Sequence, residues 1–262
     1  MNAYILPKMT WPEVEEALKT VKVALIPIGA QEQHGHIVAE GCDSYRAEKF
    51  SELLAEKCFP NVIVTPTINF GISPHHMDFP GTITLRPETL IDLLEDIVSS
   101  LNKHGIKKFL FVNGHGGNNA PMAVAAEKIA RKYDVEIGHT LFVGAAKNTI
   151  KENIHSEFFG HACEREVSEC LYMVPDIVRQ DKIEKGDLID SFVSEYCEDN
   201  VVTLVYQFNE VTRNGNLGDA TKASYELGEK IIQEALENIA KFINEFIEFD
   251  RSSAKNREKV QE

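Results

Sequence analysis

Val21-Lys-Val-Ala-Leu-Ile-Pro-Ile-Gly29 is a short apolar run that stops on glycine, and Lys108-Phe-Leu-Phe-Val-Asn113 repeats the pattern. Both are too apolar to keep one face in water, so they read as strands buried on two sides. Outward from these two, Val62–Asn69, Glu136–Val143 and Val201–Gln207 also read as strands. Asp43–Lys57, Pro87–His104 and Asn118–Tyr133 read as the helices between them. Strand-then-helix alternation predicts an α/β fold, a largely parallel central sheet covered by helices on both faces. Thr10 with Pro12, and Arg86-Pro87-Glu88, are helix openings, and Gly105 is a helix stop. Ile232, Leu236, Ile239, Ile243 and Phe246 recur at helical spacing and predict a last core-facing helix.

Composition sets the outer bounds. The chain has 262 residues, 43% of them apolar and 26% charged, enough to bury a core without disulfides. No repeat or linker interrupts it, so one domain is expected over residues 1–250, with Arg251–Glu262 a frayed charged tail. A formal charge of -14 argues against nucleic acid and against anionic membranes. Met1–Leu18 lacks the apolar core of a signal peptide. Cys42, Cys58, Cys163, Cys170 and Cys197 form no C-x-x-C pair, so reduced thiols and a cytoplasmic location are expected.

The chemistry sits just past the strand ends, where open α/β sheets bind ligands. After Gly29 come Glu32 and His34, two residues apart and so on one side of an extended chain, then Asp43 at the next helix start. Carboxylate and imidazole together suit zinc, manganese or ferrous iron, and Asp43 can bridge two ions. After Asn113 comes Gly-His115-Gly-Gly-Asn118, a turn without the lysine of a P-loop. Two strand ends that each offer a histidine favour a metal centre of Glu32, His34, Asp43 and His115.

Gly160-His-Ala-Cys-Glu164 is a third segment, with His161 and Glu164 three apart at a helix start. On one face, Glu164 would complete the metal shell or take part in catalysis, and His161 would move protons. Ser73-Pro-His-His-Met-Asp-Phe-Pro-Gly-Thr82 reads as a pocket loop. His75 and His76, with Gly116, Gly117 and Asn118, are the candidate substrate-binding residues.

Taken together, Pro27–Gly35 with Gly41-Cys-Asp43, Phe79-Pro-Gly-Thr82, Asn113–Asn118, His161–Ser168 and Asn214-Gly-Asn-Leu-Gly-Asp219 resemble the creatininase family. The resemblance spans about residues 20 to 230. It implies a three-layer α/β/α sandwich, two divalent metals per subunit (zinc, with zinc, manganese or iron at the second site), and a closed homo-oligomer, often a hexamer. By position, Glu32 would hold one metal, His34 and His115 the other, and Asp43 would bridge. Creatininase proper carries a glutamate where this chain has Gly117, and Glu164 is the candidate to replace it. The implied activity is hydrolysis of a non-peptide C–N bond, in a cyclic amide or formamide of a small polar metabolite, by hydroxide from a metal-shared water. Ring-opening C–C hydrolysis of a cyclic polyol ketone, a covalent hydrolase and a non-catalytic ligand-binding relative are the alternatives. No G-x-S-x-G elbow supports the covalent one.

Overall fold

A computed structural model of the chain describes residues 2–156, 160–196, 202 and 204–251. In order along the chain, its strands and α-helices are β1 (Tyr4–Ile5), α1 (Trp11–Ala17), β2 (Val23–Ile28), α2 (Cys42–Lys57) and β3 (Val62–Val64). Then follow α3 (Pro87–Lys103), β4 (Lys108–Asn113), α4 (Asn119–Tyr133), β5 (Glu136–Leu141), α5 (Lys147–Asn153), α6 (Glu164–Met173), α7 (Phe192–Glu195) and α8 (Tyr225–Glu248). The five strands form one sheet in the order β1-β3-β2-β4-β5, and every neighbouring pair is parallel.

Alternation along the strands divides the core. Val23 and Leu25 of β2, with Leu110 and Val112 of β4, pack against Phe50 and Leu54 of α2 and Ile232, Leu236, Ile239 and Ile243 of α8. Ala24, Ile26 and Ile28, with Phe109 and Phe111, face Leu90, Leu94 and Val98 of α3 and Met122 and Ile129 of α4. Each large apolar side chain buried this way is worth about 1.5–3 kcal/mol. The result is the α/β/α sandwich that the two apolar runs predict.

The central pair positions the site. β2 and β4 run in register from Val23↔Lys108 to Ile28↔Asn113, so both strands end at one level. Gly29 follows directly, and a Cβ there would lie 2.3 Å from Ser44 Cα. Only glycine lets the strand end touch the first turn of α2, which carries Asp43.

Several expectations shift. β3 stops at Val64, just before Thr65-Pro66, since proline has no N–H to give the ladder. β5 ends at Leu141 in a 3-10 turn over Phe142–Ala145. β1 pairs with β3 although its two residues carry no readable pattern. No strand forms at residues 202 and 204–207, where Val205 is 99% exposed, and residues 201 and 203 lie outside the described residues. Arg251 pairs with Glu136, whereas the rest of the expected tail, 252–262, lies outside the described residues. Cys42, Cys58, Cys163 and Cys170 are buried free thiols, and Cys197 lies outside the described residues. No helix among the described residues is long and apolar enough to cross a membrane.

Candidate metal centre

Beyond β2 the chain turns back on itself, Glu32 N–H donating to Glu40 C=O at 3.1 Å, and Glu32 is completely buried. His34 Nδ1–H donates to Glu32 C=O at 3.1 Å, so its Nε2 carries the lone pair. His115 is held the opposite way round. Its Nε2–H donates to Ile72 C=O at 3.0 Å, leaving Nδ1 as the acceptor. In the ion-free protein Asp43 favours a further proton on each ring, and these two nitrogens face opposite oxygens of Asp43. His34 Nε2 is 3.4 Å from Oδ1, and His115 Nδ1 is 3.3 Å from Oδ2 and 3.1 Å from Glu32 Oε1. His34 and His115 therefore fall in different groups, with Asp43 between them, and His115 goes with Glu32.

The third carboxylate is Glu166, whose Oε2 lies 4.0 Å from His34 Nε2. Glu164 belongs to none of the ligand groups and does not line the cavity, although it is buried. The reason is local backbone. His161 precedes α6 rather than lying in it, because Ala162 takes a left-handed φ of 48° and Cys163 is extended. Helical i, i+3 spacing thus has no meaning between His161 and Glu164, and Glu166, two residues on, faces the opposite way from Glu164. The glutamate of creatininase proper has no room at Gly117, where a Cβ would meet Ile72 O at 2.2 Å.

Glu32 Oε1 and Oε2, His34 Nε2 and Asp43 Oδ2 are buried and make no hydrogen bond. Such atoms cost about 1–3 kcal/mol each when left unmatched. Protons answer part of that demand in the ion-free protein. Burial opposes a charged His115, yet Glu32 and Asp43 hold its pKa well above the ordinary imidazole value. Burial likewise opposes the Asp43 anion, yet His34 and His115 hold its pKa well below the carboxylate range. Four overlapping groups among the described residues could hold an ion: Glu32-His76-His161, Glu32-His75-His115, His34-His161-Glu166 and His34-Cys42-Asp43. Divalent cations there would satisfy the same atoms without protons, so the donor set fits metal.

Arg46, fully buried, braces the carboxylates from behind. Nη2 donates to Asp43 Oδ1 at 2.9 Å, Gly114 C=O at 2.8 Å and Glu166 Oε1 at 3.1 Å, and Nη1 to Glu169 at 2.6 Å. Burial would raise the Glu166 pKa, but Arg46 and then Arg165 pull it down to about 2.

A cavity of about 270 Å³ opens on these groups, lined by Glu32, His115, His161 and Glu166. Of the candidate substrate contacts, His75, His76, Gly116 and Gly117 line it. Asn118 does not. It is fully buried, donating to Gly29 C=O at 2.9 Å and Asn113 Oδ1 at 3.1 Å and accepting from Ile72 N–H at 2.9 Å, which ties three loops together. Burial and the charge on His34 bring the His161 pKa to about 3. His161 Nε2–H donates to Gln33 C=O at 2.5 Å, so Nδ1, 3.6 Å from Glu32 Oε1, is an acceptor.

Gln33 also fixes His76. Its Oε1 accepts from Gly35 N–H at 2.8 Å and its Nε2 donates to Gly215 C=O at 3.1 Å, which settles the amide orientation. The other Nε2 hydrogen goes to His76 Nδ1 at 3.0 Å. Burial, then His161 and the other nearby imidazoles, hold His76 far below its ordinary pKa. The neutral ring therefore presents Nε2–H, 3.6 Å from Glu32 Oε1. Gln33→Glu reverses this, since a carboxylate needs a hydrogen on Nδ1. Imidazole nitrogen shifts should show the Nε2–H tautomer in the natural protein and Nδ1–H in the variant, with turnover down about tenfold or more. The same tautomer in both would show that Gln33 does not set it.

Gln33, Arg46, Arg165, Glu166, Tyr206 and Phe208 escape the sequence reading. Glu166 lies inside the segment that points to the site, and its signal is a second acid at the helix start. Tyr206 and Phe208 sit in and just after a stretch that reads as strand.

The family profile described as "Creatininase: Creatinine amidohydrolase" matches residues 7–243. The chain belongs to the creatininase family. A 3-dehydro-scyllo-inosose hydrolase of Thermotoga maritima is 26% identical over 92% of this chain and 82% of its own length. The creatinine amidohydrolase of Pseudomonas putida is 25% identical, covering 91% and 95%. A mycofactocin precursor peptide peptidase of Mycolicibacterium smegmatis is 26% identical, covering 84% and 83%. A solved creatinine amidohydrolase superposes with a TM-score of 0.82 at 23% identity, over 95% of this chain and 100% of that one. A manganese form of creatininase gives 0.80 at 24% identity, over 94% and 100%. The family's fold is this chain's fold, and its named members are hydrolases of different bonds.

Proposed function

We propose that this creatininase-family enzyme is a dinuclear metal-dependent hydrolase that cleaves a non-peptide C–N bond, in a cyclic amide or formamide of a small polar metabolite. The observation that carries the reading is the set of buried, unpartnered ligand atoms of Glu32, His34 and Asp43 beside a cavity of about 270 Å³. Glu32, His115 and Asp43 Oδ2 would hold one ion, and His34, Glu166 and Asp43 Oδ1 the other. Zinc suits both, with manganese or iron as options at one of them. Bound ions of this kind lower the pKa of water and polarise a carbonyl.

The chain's own groups handle the protons. His161 Nδ1, an acceptor, is placed to receive the attacking water's proton; with its pKa brought down to about 3 in the ion-free protein, the ring holds that proton only in passing and returns it to the leaving nitrogen as the C–N bond breaks. His76 Nε2–H, which cannot accept, is placed to donate a hydrogen bond to developing negative charge on the carbonyl oxygen, and Gly116 and Gly117 allow close backbone approach. The Thermotoga relative's name keeps ring-opening of a cyclic polyol ketone as the second reading. Cytoplasmic location and a closed homo-oligomer, a hexamer by family resemblance, belong to the same proposal, and light scattering on the purified protein tests the assembly.

The deciding experiment is elemental analysis of the purified protein with chelation and readdition, assayed on cyclic amides, formamides and keto-inositols. About two metals per chain and restored amide turnover are expected. Restored turnover of keto-inositols alone would move the reading to C–C hydrolysis. No stoichiometric metal after reloading would overturn both.

A further inference from the structure

We propose that Arg165 forms an anion subsite and that the substrate is a small amide bearing a carboxylate. The amide half rests on the function proposed above. The anion half rests on the placement of one guanidinium. Among the described residues that line the cavity, Arg165 is the one lysine or arginine, and it is only 9% exposed.

Its ion pairs are slack. Nη1 lies 3.4 Å from Glu169 and Nη2 lies 3.4 Å from Glu166, beyond the roughly 2.7–2.9 Å of a charge-assisted hydrogen bond. Both glutamates already have a nearer cation, since Arg46 reaches Glu169 at 2.6 Å and Glu166 at 3.1 Å. A guanidinium has five N–H donors in a rigid fork, and two long contacts leave donor capacity for a further anion. A carboxylate arriving through the cavity is the ligand that a guanidinium fork suits.

The wider charge balance points the same way. Glu32, Asp43, Glu164, Glu166 and Glu169 set five buried carboxylates against the two guanidinium groups of Arg46 and Arg165. Two divalent cations turn that deficit of three into a surplus of one, so the working site attracts an anion. Distance limits the ligand. One carboxylate, Glu166, separates the guanidinium from the ligand cluster, its Oε1 facing Arg165 and its Oε2 facing His34. The substrate's carboxylate and its scissile amide are thus a few bonds apart, which suits a compact ring or formamide. His75, Tyr206 and Phe208 give the cavity aromatic walls.

Matched compounds that differ by the carboxylate test this on the metal-loaded full chain: N-formylglycine against N-formylglycinamide, and 5-oxoproline against 2-pyrrolidone. Hydrolysis adds water across the C–N bond, oxygen to carbon and hydrogen to nitrogen. The acid of a turned-over pair should exceed its neutral partner in kcat/KM by about 10–100-fold, mostly through KM, the worth of one charge-assisted bond. Arg165→Met should erase the preference by weakening the acid alone, and Arg165→Lys should restore part of it. Calorimetry with succinate gives a readout free of turnover, and Arg165→Met should bind it about tenfold or more weakly.

Equal losses on acid and amide, or loss of metal in Arg165→Met, would make Arg165 a support for Glu166 and overturn the proposal. So would succinate binding that ignores Arg165. If no amide is turned over but succinate binding depends on Arg165, the subsite stands and the amidase reading falls.

Discussion

Asp43→Ala is expected to empty both metal positions and to lower turnover on the order of a thousandfold or more. The size follows from geometry. Asp43 alone presents an oxygen to each histidine of the pair, at 3.4 Å from His34 Nε2 and 3.3 Å from His115 Nδ1. Glu32→Ala and Glu166→Ala each strip one side, so each should leave about one metal per chain, from opposite halves. Glu164→Ala should leave both, because Glu164 neither joins a ligand group nor lines the cavity. His161→Ala should also keep the metals while losing turnover, the behaviour of a proton carrier. Elemental analysis of the five variants, beside their turnover, reads all of this at once. Two retained metals in Asp43→Ala would refute the bridging role, and one lost in Glu164→Ala would return that residue to the site.

The contrast between Glu164 and Glu166 shows where sequence stops informing. β2 and β4 are legible because a two-faced buried strand must be apolar at every position, and both runs are. The ligands past their ends are legible because glycine marks the strand end and Glu32, His34 and His115 follow within a few residues. α6 is different. Its acids alternate as Glu164, Glu166 and Glu169, and all three are buried, so polarity does not sort them. What sorts them is the backbone turn at Ala162, which no residue type announces, since left-handed φ is rare for alanine. Arg46 hides for another reason. It lies one turn along α2 from Asp43 and would ordinarily be taken for a solvated helix face. Only the convergence of α2 with α6 and the β4 end turns it inward onto Asp43, Glu166, Glu169 and Gly114 C=O.

That convergence makes Arg46→Met the variant with the largest expected effect on stability, and the effect should depend on metal. Removing one partner of a buried ion pair typically costs about 3–5 kcal/mol, because the charges left behind have lost both water and counterion. Here three carboxylates lose their shared cation. In the metal-free protein the full cost should appear as a lower urea midpoint at unchanged slope. With metal bound, Asp43 and Glu166 keep a positive neighbour and Glu169 keeps Arg165, so the loss should shrink by about half or more. Methionine keeps the stem volume, which separates charge from packing. Arg46→Lys should recover little, since a single ammonium cannot reach Glu169, Asp43 and Gly114 C=O together as the guanidinium fork does. Unfolding curves with and without chelator give the difference directly. An equal loss in both would mean that Arg46 props the fold without balancing the ligand carboxylates. A loss confined to the chelated protein would mean that guanidinium and metal do one electrostatic job from opposite sides of the same two carboxylates.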